Sequence, residues 1–127
     1  MRLQVLDGDF SVLKLPADAA LPEWTMSTSF VSVTRTADEL SIVAREDDLP
    51  EDATSASVKS TGWKALKVEG PLEFELVGVL ASLAQPLARK GVSIFSVSTY
   101  DTDYLLLQEE KLEKAIMTLS AEGHEIE

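Results

Sequence analysis

The spacing of apolar and polar residues predicts a regular order of strands and helices over the second half of the chain. Residues 63–69 (WKALKVE) alternate as a strand with one buried face does, and residues 73–90 repeat apolar positions at helical spacing. Residues 92–108 follow as two apolar runs around a polar turn. Residues 112–119 have helical spacing again, and residues 124–127 suit a short last strand. The predicted order is β-α-β-β-α-β.

The first half resembles the second, in a shorter form. SVTRTADELSIV (32–43) matches SVSTYDTDYLLL (96–107) at a shift of 64 residues, and both segments have the pattern strand, polar turn, strand. Residues 10–15 nevertheless indicate a strand where the second half has a long helix, and residues 17–24 leave room only for a short helix. We therefore expect two related units of about 63 residues, the first of them trimmed and borrowing a strand from the second.

The element order corresponds to the ferredoxin-like arrangement of an antiparallel sheet with two helices on one face. The prediction is an α+β protein with two ferredoxin-like βαββαβ units in tandem. The N-terminal unit is expected over residues 1–61 and the C-terminal unit over residues 62–127.

Composition narrows the classes of partner. A formal net charge of −11 repels nucleic-acid phosphates and anionic lipid, so neither nucleic acid nor a membrane is expected as a partner. With no cysteine there is no disulfide framework or thiolate metal site. The amino-terminal residues lack the apolar core of a signal peptide, and no apolar run approaches the ~20 residues that span a bilayer. We expect a cytoplasmic protein.

The turn of the second hairpin, STYDTD (98–103), is unusually rich in hydrogen-bonding side chains and lacks glycine. The carboxylate of Asp103 suits a ligand's cationic group, whereas the hydroxyls of Ser98, Thr99 and Thr102 and the N–H groups of the helix start near Glu73 suit a carboxylate. The alternative is that the two aspartates only shape an Asx-type turn. Two carboxylates provide too few oxygens for a calcium site, so no metal and no cofactor are predicted.

Three stretches carry a resemblance to a known family: TRTADELSIV, GWKALKVEGPLEFELVGVLASLAQPLA and GVSIFSVSTYDTDYLLL. They resemble ACT domains, and in particular the tandem-ACT proteins that include the cytosolic arginine sensors. The resemblance implies a regulatory, non-catalytic sensor that binds an amino acid or similar metabolite between two ACT units. Since those sensors have four ACT units and this sequence has two, it also implies a homodimer. The implied ligand-binding residues are Gly70, Pro71, Leu72, Glu73, Leu76, Val77, Gly78, Ser98, Thr99, Tyr100, Thr102 and Asp103.

Two alternatives remain beside the sensor. A structural or adaptor module would keep the fold and oligomerise without a ligand. An enzyme is not expected, because no nucleophile–base pair, metal-ligand spacing or phosphate-binding loop is visible. Gly78, predicted to lie inside the first long helix, indicates either close approach of a ligand or close packing of helix on sheet.

Overall fold

The computed structural model describes residues 1–51, 58–70 and 78–127. The strands are β1 (Arg2–Val5), β2 (Phe10–Leu15), β3 (Val31–Arg35), β4 (Leu40–Arg45), β5 (Val58–Val68), β6 (Phe95–Ser98), β7 (Asp103–Gln108) and β8 (Glu125–Ile126). The α-helices in these ranges are α1 (Val79–Arg89) and α2 (Leu112–Ala121), and short 3₁₀ turns occupy Glu23–Ser27, Glu46–Asp48 and Glu109–Lys111. Neither helix is long and apolar enough to cross a membrane. The fold is α+β.

The chain forms two compact units, and one of them combines segments from both ends of the sequence. The N-terminal unit comprises Gly8–Gly62, and the C-terminal unit combines Trp63–Glu127 with Met1–Asp7. Strand β5 begins in the N-terminal unit and ends in the C-terminal one. A strand was expected to pass from the second unit to the first. The structure groups the first five residues of β5 with the N-terminal unit, and it groups β1 with the C-terminal unit.

The sheet of the C-terminal unit has the strand order β6-β7-β5-β1-β8. Strand β1 pairs with β5 in antiparallel and with β8 in parallel orientation. The predicted antiparallel sheet is therefore wrong at this pair, and the sheet is mixed. The physical reason is that Leu3 on β1 buries its side chain completely in the core of this unit. Burial of this apolar side chain stabilises β1 in its position between β5 and β8.

The core of the C-terminal unit lies between the sheet and the two α-helices. Alternate residues of β5 and β7 face the helices because successive strand side chains point to opposite sides. The fully buried members of this cluster are Leu3, Leu66, Val68, Leu83, Leu87, Leu105, Leu107, Ala115 and Leu119. The predicted order β-α-β-β-α-β is observed from β5 to β8, although α1 is described only from Val79 onwards.

The N-terminal unit contains the strand order β3-β4-β2, with β2 and β3 both antiparallel to β4. One core cluster among the described residues of this unit consists of Leu13, Leu40, Ile42 and Ala44. Trp24, in the first 3₁₀ turn, packs against this cluster. Within the residues that the structure describes, this unit has 3₁₀ turns and no α-helix.

The hairpins of the two units repeat, but not at the shift that the sequence comparison predicts. The second strand of each hairpin runs from Leu40 to Arg45 and from Asp103 to Gln108, a displacement of 63 residues. A 3₁₀ turn follows immediately in both cases. The predicted shift of 64 is thus wrong by one residue, which exchanges the two faces of the strand. Both strands bury three consecutive residues, so local hydrophobicity fits either register.

Candidate functional site

The turn between β6 and β7 is closed by its two threonines. The Thr99 N–H donates to the Thr102 carbonyl at 2.8 Å, and the Thr99 hydroxyl donates to the same carbonyl at 3.1 Å. The Thr99 hydroxyl oxygen also accepts from the Thr102 N–H at 3.3 Å. These bonds hold a turn that contains no glycine, and none of its residues has the positive φ for which a hairpin turn usually needs one. Some of the polar side chains of this hairpin therefore stabilise the turn itself, and the ones that do so are threonines and not aspartates.

Thr102 also links the turn to the end of β5. Its side chain is buried, with 6% of the residue exposed, and its hydroxyl donates to the Val68 carbonyl. A hydroxyl has a single proton to donate. In this arrangement the hydroxyls of Thr99 and Thr102 have both used theirs within the protein. The predicted donation from these two hydroxyls to a ligand's carboxylate would require these internal bonds to break, whereas their oxygens still have lone pairs that accept.

A pocket of about 300 Å³ lies beside this turn, within the C-terminal unit. The described residues that line it are Lys67, Gly70, Thr99, Asp101, Thr102 and Tyr104. Three of them, Gly70, Thr99 and Thr102, were predicted from the sequence. The pocket combines a lysine ammonium group, an aspartate carboxylate and hydroxyl oxygens. Such a set matches a small polar ligand with both signs of charge.

Lys67 and Tyr104 are the lining residues on the sheet itself. They lie directly opposite each other in the β5–β7 register. Their neighbours Leu66 and Leu105 point into the core against the helices, so alternation places Lys67 and Tyr104 on the other face. The signal in the sequence was the alternation of WKALKVE, which turns Lys67 away from Leu66. Its partner Tyr104 is found only once the strand pairing is known.

Other predicted residues that the structure describes do not line this pocket. Asp103 begins β7 opposite Ser98 and alternates with Tyr104, which places its side chain on the helix-facing side of the sheet. Tyr100 is at the tip of the turn and is 77% exposed. The predicted residues Pro71, Leu72, Glu73, Leu76 and Val77 lie outside the described residues.

Gly78 has a different position from the one predicted. It precedes α1 as the N-cap residue, with a φ of 81°, and does not lie inside the helix. Its left-handed backbone conformation is one that glycine adopts without strain. A Cβ built at Gly78 has no described neighbouring atom within 4 Å, so none of the described residues packs closely against this position. The backbone conformation explains the glycine.

Lys67 and Asp101 are the charged residues among the described ones that line the pocket. No salt bridge within the described parts of the chain involves Lys67 or Asp101. Lys67 is half-buried, and Asp101 is exposed at the turn. No group of three acidic or histidine side chains suited to a metal ion occurs among the described residues. The site can thus bind an ammonium group through Asp101 and a carboxylate through Lys67.

Two family models match the chain. The model of the ACT domain matches residues 58–121, and a model that describes an N-terminal domain matches residues 8–52. The first match includes β5, both α-helices, the β6–β7 hairpin and all the described lining residues of the pocket.

Curated relatives include arginine-sensor proteins. The protein CASTOR3P of Homo sapiens is 32% identical over 102 residues, which are 73% of this chain and 63% of that protein. The protein named cytosolic arginine sensor for mTORC1 subunit 1 of Bos taurus is 32% identical over 100 residues. The match covers 73% of this chain and 30% of the sensor, so this chain spans less than two thirds of either relative.

Solved structures share the fold of this chain. An Agobacterium tumefaciens protein known from an X-ray structure is 39% identical, with a TM-score of 0.88 and coverage of 99% of this chain and 91% of that one. The regulatory subunit of aspartate kinase from Thermus thermophilus has a TM-score of 0.65 over 92% of this chain and 95% of its own. At 13% identity, the second likeness is one of fold. The chain belongs to the ACT-domain family.

Proposed function

We propose that this chain is a non-catalytic regulatory sensor that binds a free amino acid or a similar metabolite at an interface between ACT units of two copies. The observation that carries the proposal is the pocket in which Lys67 and Asp101 lie together beside the turn at residues 99–102. An α-amino acid presents a carboxylate and an ammonium group, which these two side chains complement. Membership of the ACT family and the relative named as an arginine sensor support the same ligand class.

The energetics of the pocket suit a reversible sensor. A charge-assisted hydrogen bond contributes ~1.5–3 kcal/mol net, so the two ionic contacts together account for roughly 3–6 kcal/mol of binding. The acceptor oxygens of Thr99 and Thr102 add contacts for the ammonium group. A volume of about 300 Å³ is at the small end of ligand pockets, which suits an amino acid.

Homodimerisation is part of the proposal. In the described structure β6 pairs on one side only, with β7, and so presents a free strand edge. A second copy paired along β6 about a two-fold axis brings its own residues beside the turn and closes the pocket. The tandem arrangement of two ACT-like units is supported by the strand order β3-β4-β2, which repeats as β6-β7-β5. Ligand binding then tightens or reorients the dimer, which a downstream partner detects.

The test is a thermal-shift screen of the purified chain against the twenty proteinogenic amino acids, with the oligomeric state measured by light scattering. A ligand at 100 times its dissociation constant stabilises the folded state by ~2.7 kcal/mol, which is a shift of several degrees. Asp101→Asn and Lys67→Met should each remove the shift.

Asp103→Asn is the matched control, because it removes the same charge from the same hairpin on the opposite face of the sheet. If Asp103→Asn alone removes the shift, the ligand lies on the helix-facing side and the Lys67 pocket is not the site. If all three variants keep the shift, both locations are wrong.

A structural or adaptor module without a ligand is the second candidate. The hydrogen bonds that the Thr99 hydroxyl donates within the turn and the Thr102 hydroxyl donates to the Val68 carbonyl favour it, because they give the protons of both hydroxyls a structural role. A flat screen on a chain that is a stable dimer would support this candidate over the sensor.

A further inference from the structure

The two hairpins of the chain have the same turn. The Thr36 N–H donates to the Glu39 carbonyl at 2.9 Å, as the Thr99 N–H donates to the Thr102 carbonyl at 2.8 Å. In both turns the threonine hydroxyl oxygen accepts from a backbone N–H of the turn, at 3.2 Å from Glu39 and at 3.3 Å from Thr102. Each position of one turn therefore has an equivalent in the other, 63 residues away.

The first strands of the units are equivalent as well. Lys14 on β2 lies opposite Ser41 on β4, and Lys67 on β5 lies opposite Tyr104 on β7. Since Ser41 and Tyr104 are equivalent positions of the hairpins, Lys14 is the counterpart of Lys67. The loop that leaves β2 is accordingly the counterpart of the loop that leaves β5.

The units differ in how that loop is held. Arg35, at the end of β3, donates from its guanidinium group to the carbonyls of Ala17 and Ala19, the latter at 2.8 Å. The residue of the C-terminal unit that is equivalent to Ala17 is Gly70, which lines the pocket. The position equivalent to Arg35 is Ser98. The serine side chain is too short to span the distance that the Arg35 side chain spans from its strand to the carbonyls of Ala17 and Ala19.

We propose that the carbonyls of Ala17 and Ala19 form a binding site for a guanidinium cation, and that Arg35 occupies this site as a permanent internal ligand. The planar fork of a guanidinium group supplies several N–H donors in fixed directions, which suits two neighbouring carbonyls. The N-terminal unit is thus closed by its own side chain and does not respond to a free ligand. This inference goes beyond the proposed function, because it concerns the unit that the sensor pocket does not use.

The experiment replaces Arg35 with the residue of the equivalent position and restores the missing group from solution. Arg35→Ser should lower the Tm by about 3 °C, since it removes charge-assisted bonds at an exposed site. Ethylguanidinium at about 10 mM, far below denaturing concentrations, should restore at least half of that loss. Arg89→Ser is the matched control, because Arg89 is an exposed arginine that pairs with a side chain, Glu122, at 3.0 Å.

A local measurement shows where the added cation binds. The Ala19 N–H donates to the Pro16 carbonyl at 3.0 Å, so hydrogen exchange at Ala19 reports whether the loop is held. Exchange at Ala19 should accelerate in Arg35→Ser and slow again when ethylguanidinium is added. In the wild type and in Arg89→Ser, ethylguanidinium should leave exchange at Ala19 unchanged.

Three results would overturn the proposal: an unchanged Tm in Arg35→Ser, equal effects of ethylguanidinium on all variants, or a rescue of Tm without protection at Ala19. If Arg35→Ser does not fold, Arg35→Gln provides the same test with a longer neutral side chain. None of these results depends on whether an amino acid binds at Lys67, so the failure of one proposal is distinguishable from the failure of the other.

Discussion

Replacing Leu3 with alanine tests the placement of β1 between β5 and β8. Leu3 is fully buried and belongs to the core cluster of the C-terminal unit, more than sixty positions from its strand neighbour Val68. Alanine keeps the backbone of β1, including the bond from the Glu127 N–H to the Leu3 carbonyl at 2.9 Å. The substitution therefore removes side-chain packing and leaves the strand pairing in place.

The expected loss is large because the site is enclosed. Truncation of a fully buried leucine to alanine costs ~2–5 kcal/mol, the transfer of the lost methyl groups plus the cavity left behind. Taking about 3 kcal/mol, the Tm of a chain of this size falls by roughly 10 °C. The matched control is Leu21→Ala, since Leu21 is 44% exposed and its truncation should change the free energy of unfolding by less than about 0.5 kcal/mol.

Urea unfolding followed by circular dichroism measures both variants, and hydrogen exchange locates the effect. Leu3→Ala should lower the midpoint without a change in the m-value and should accelerate exchange in β5 and β8. If Leu3→Ala and Leu21→Ala have the same free energy of unfolding, β1 is not inserted in this core and the strand order is refuted.

Three further substitutions test individual features. Gly78→Ala should cost about 1–2 kcal/mol, because alanine is strained at a φ of 81°, and an unchanged urea midpoint would contradict that N-cap conformation. Thr102→Val should cost about 1–3 kcal/mol by removing the buried bond to the Val68 carbonyl, and calorimetry measures it against the near-isosteric wild type. At Asp48, hydrogen bonds from the backbone N–H and then the hydroxyl of Ser29 hold the carboxyl pKa below its ordinary value. This carboxylate therefore contributes stability above the ordinary aspartate range that is lost as the pH falls through the lowered pKa. The difference in stability between the wild type and Asp48→Asn should shrink towards acid pH, and a constant difference from pH 6 to pH 2 would argue against the bond.

Local patterns were sufficient for the elements of the C-terminal unit. The helical spacing around Leu83 and Leu87 and around Ala115 and Leu119 corresponds to the buried faces of α1 and α2. The hairpin at residues 92–108 was equally visible, because two apolar runs flank a polar turn. In such segments the periodicity of a single element already records which side is buried.

Features that depend on a distant partner could not be predicted in this way. A four-residue strand such as β1 has the same local pattern whether it completes its own unit or the other one. The register of the hairpin repeat was off by one residue because Leu105 and Leu107 flank a third buried residue, Leu106, which hides the alternation. The pairing of Lys67 with Tyr104 joins residues from two strands and has no signature in either.

The position of β1 has a consequence for synthesis on the ribosome. Its neighbours are β5, which begins at Val58, and β8, which begins at Glu125, so β1 has both pairing partners only after residue 126 has emerged. Until then β1 and the matching edge of β5 remain unpaired, and unpaired edges promote association between chains. A nascent-chain experiment should therefore find the C-terminal unit folding late and in a single step. The same topology means that a fragment starting at residue 63 would lack the strand between β5 and β8. A separate peptide with the sequence of β1 should bind in that position.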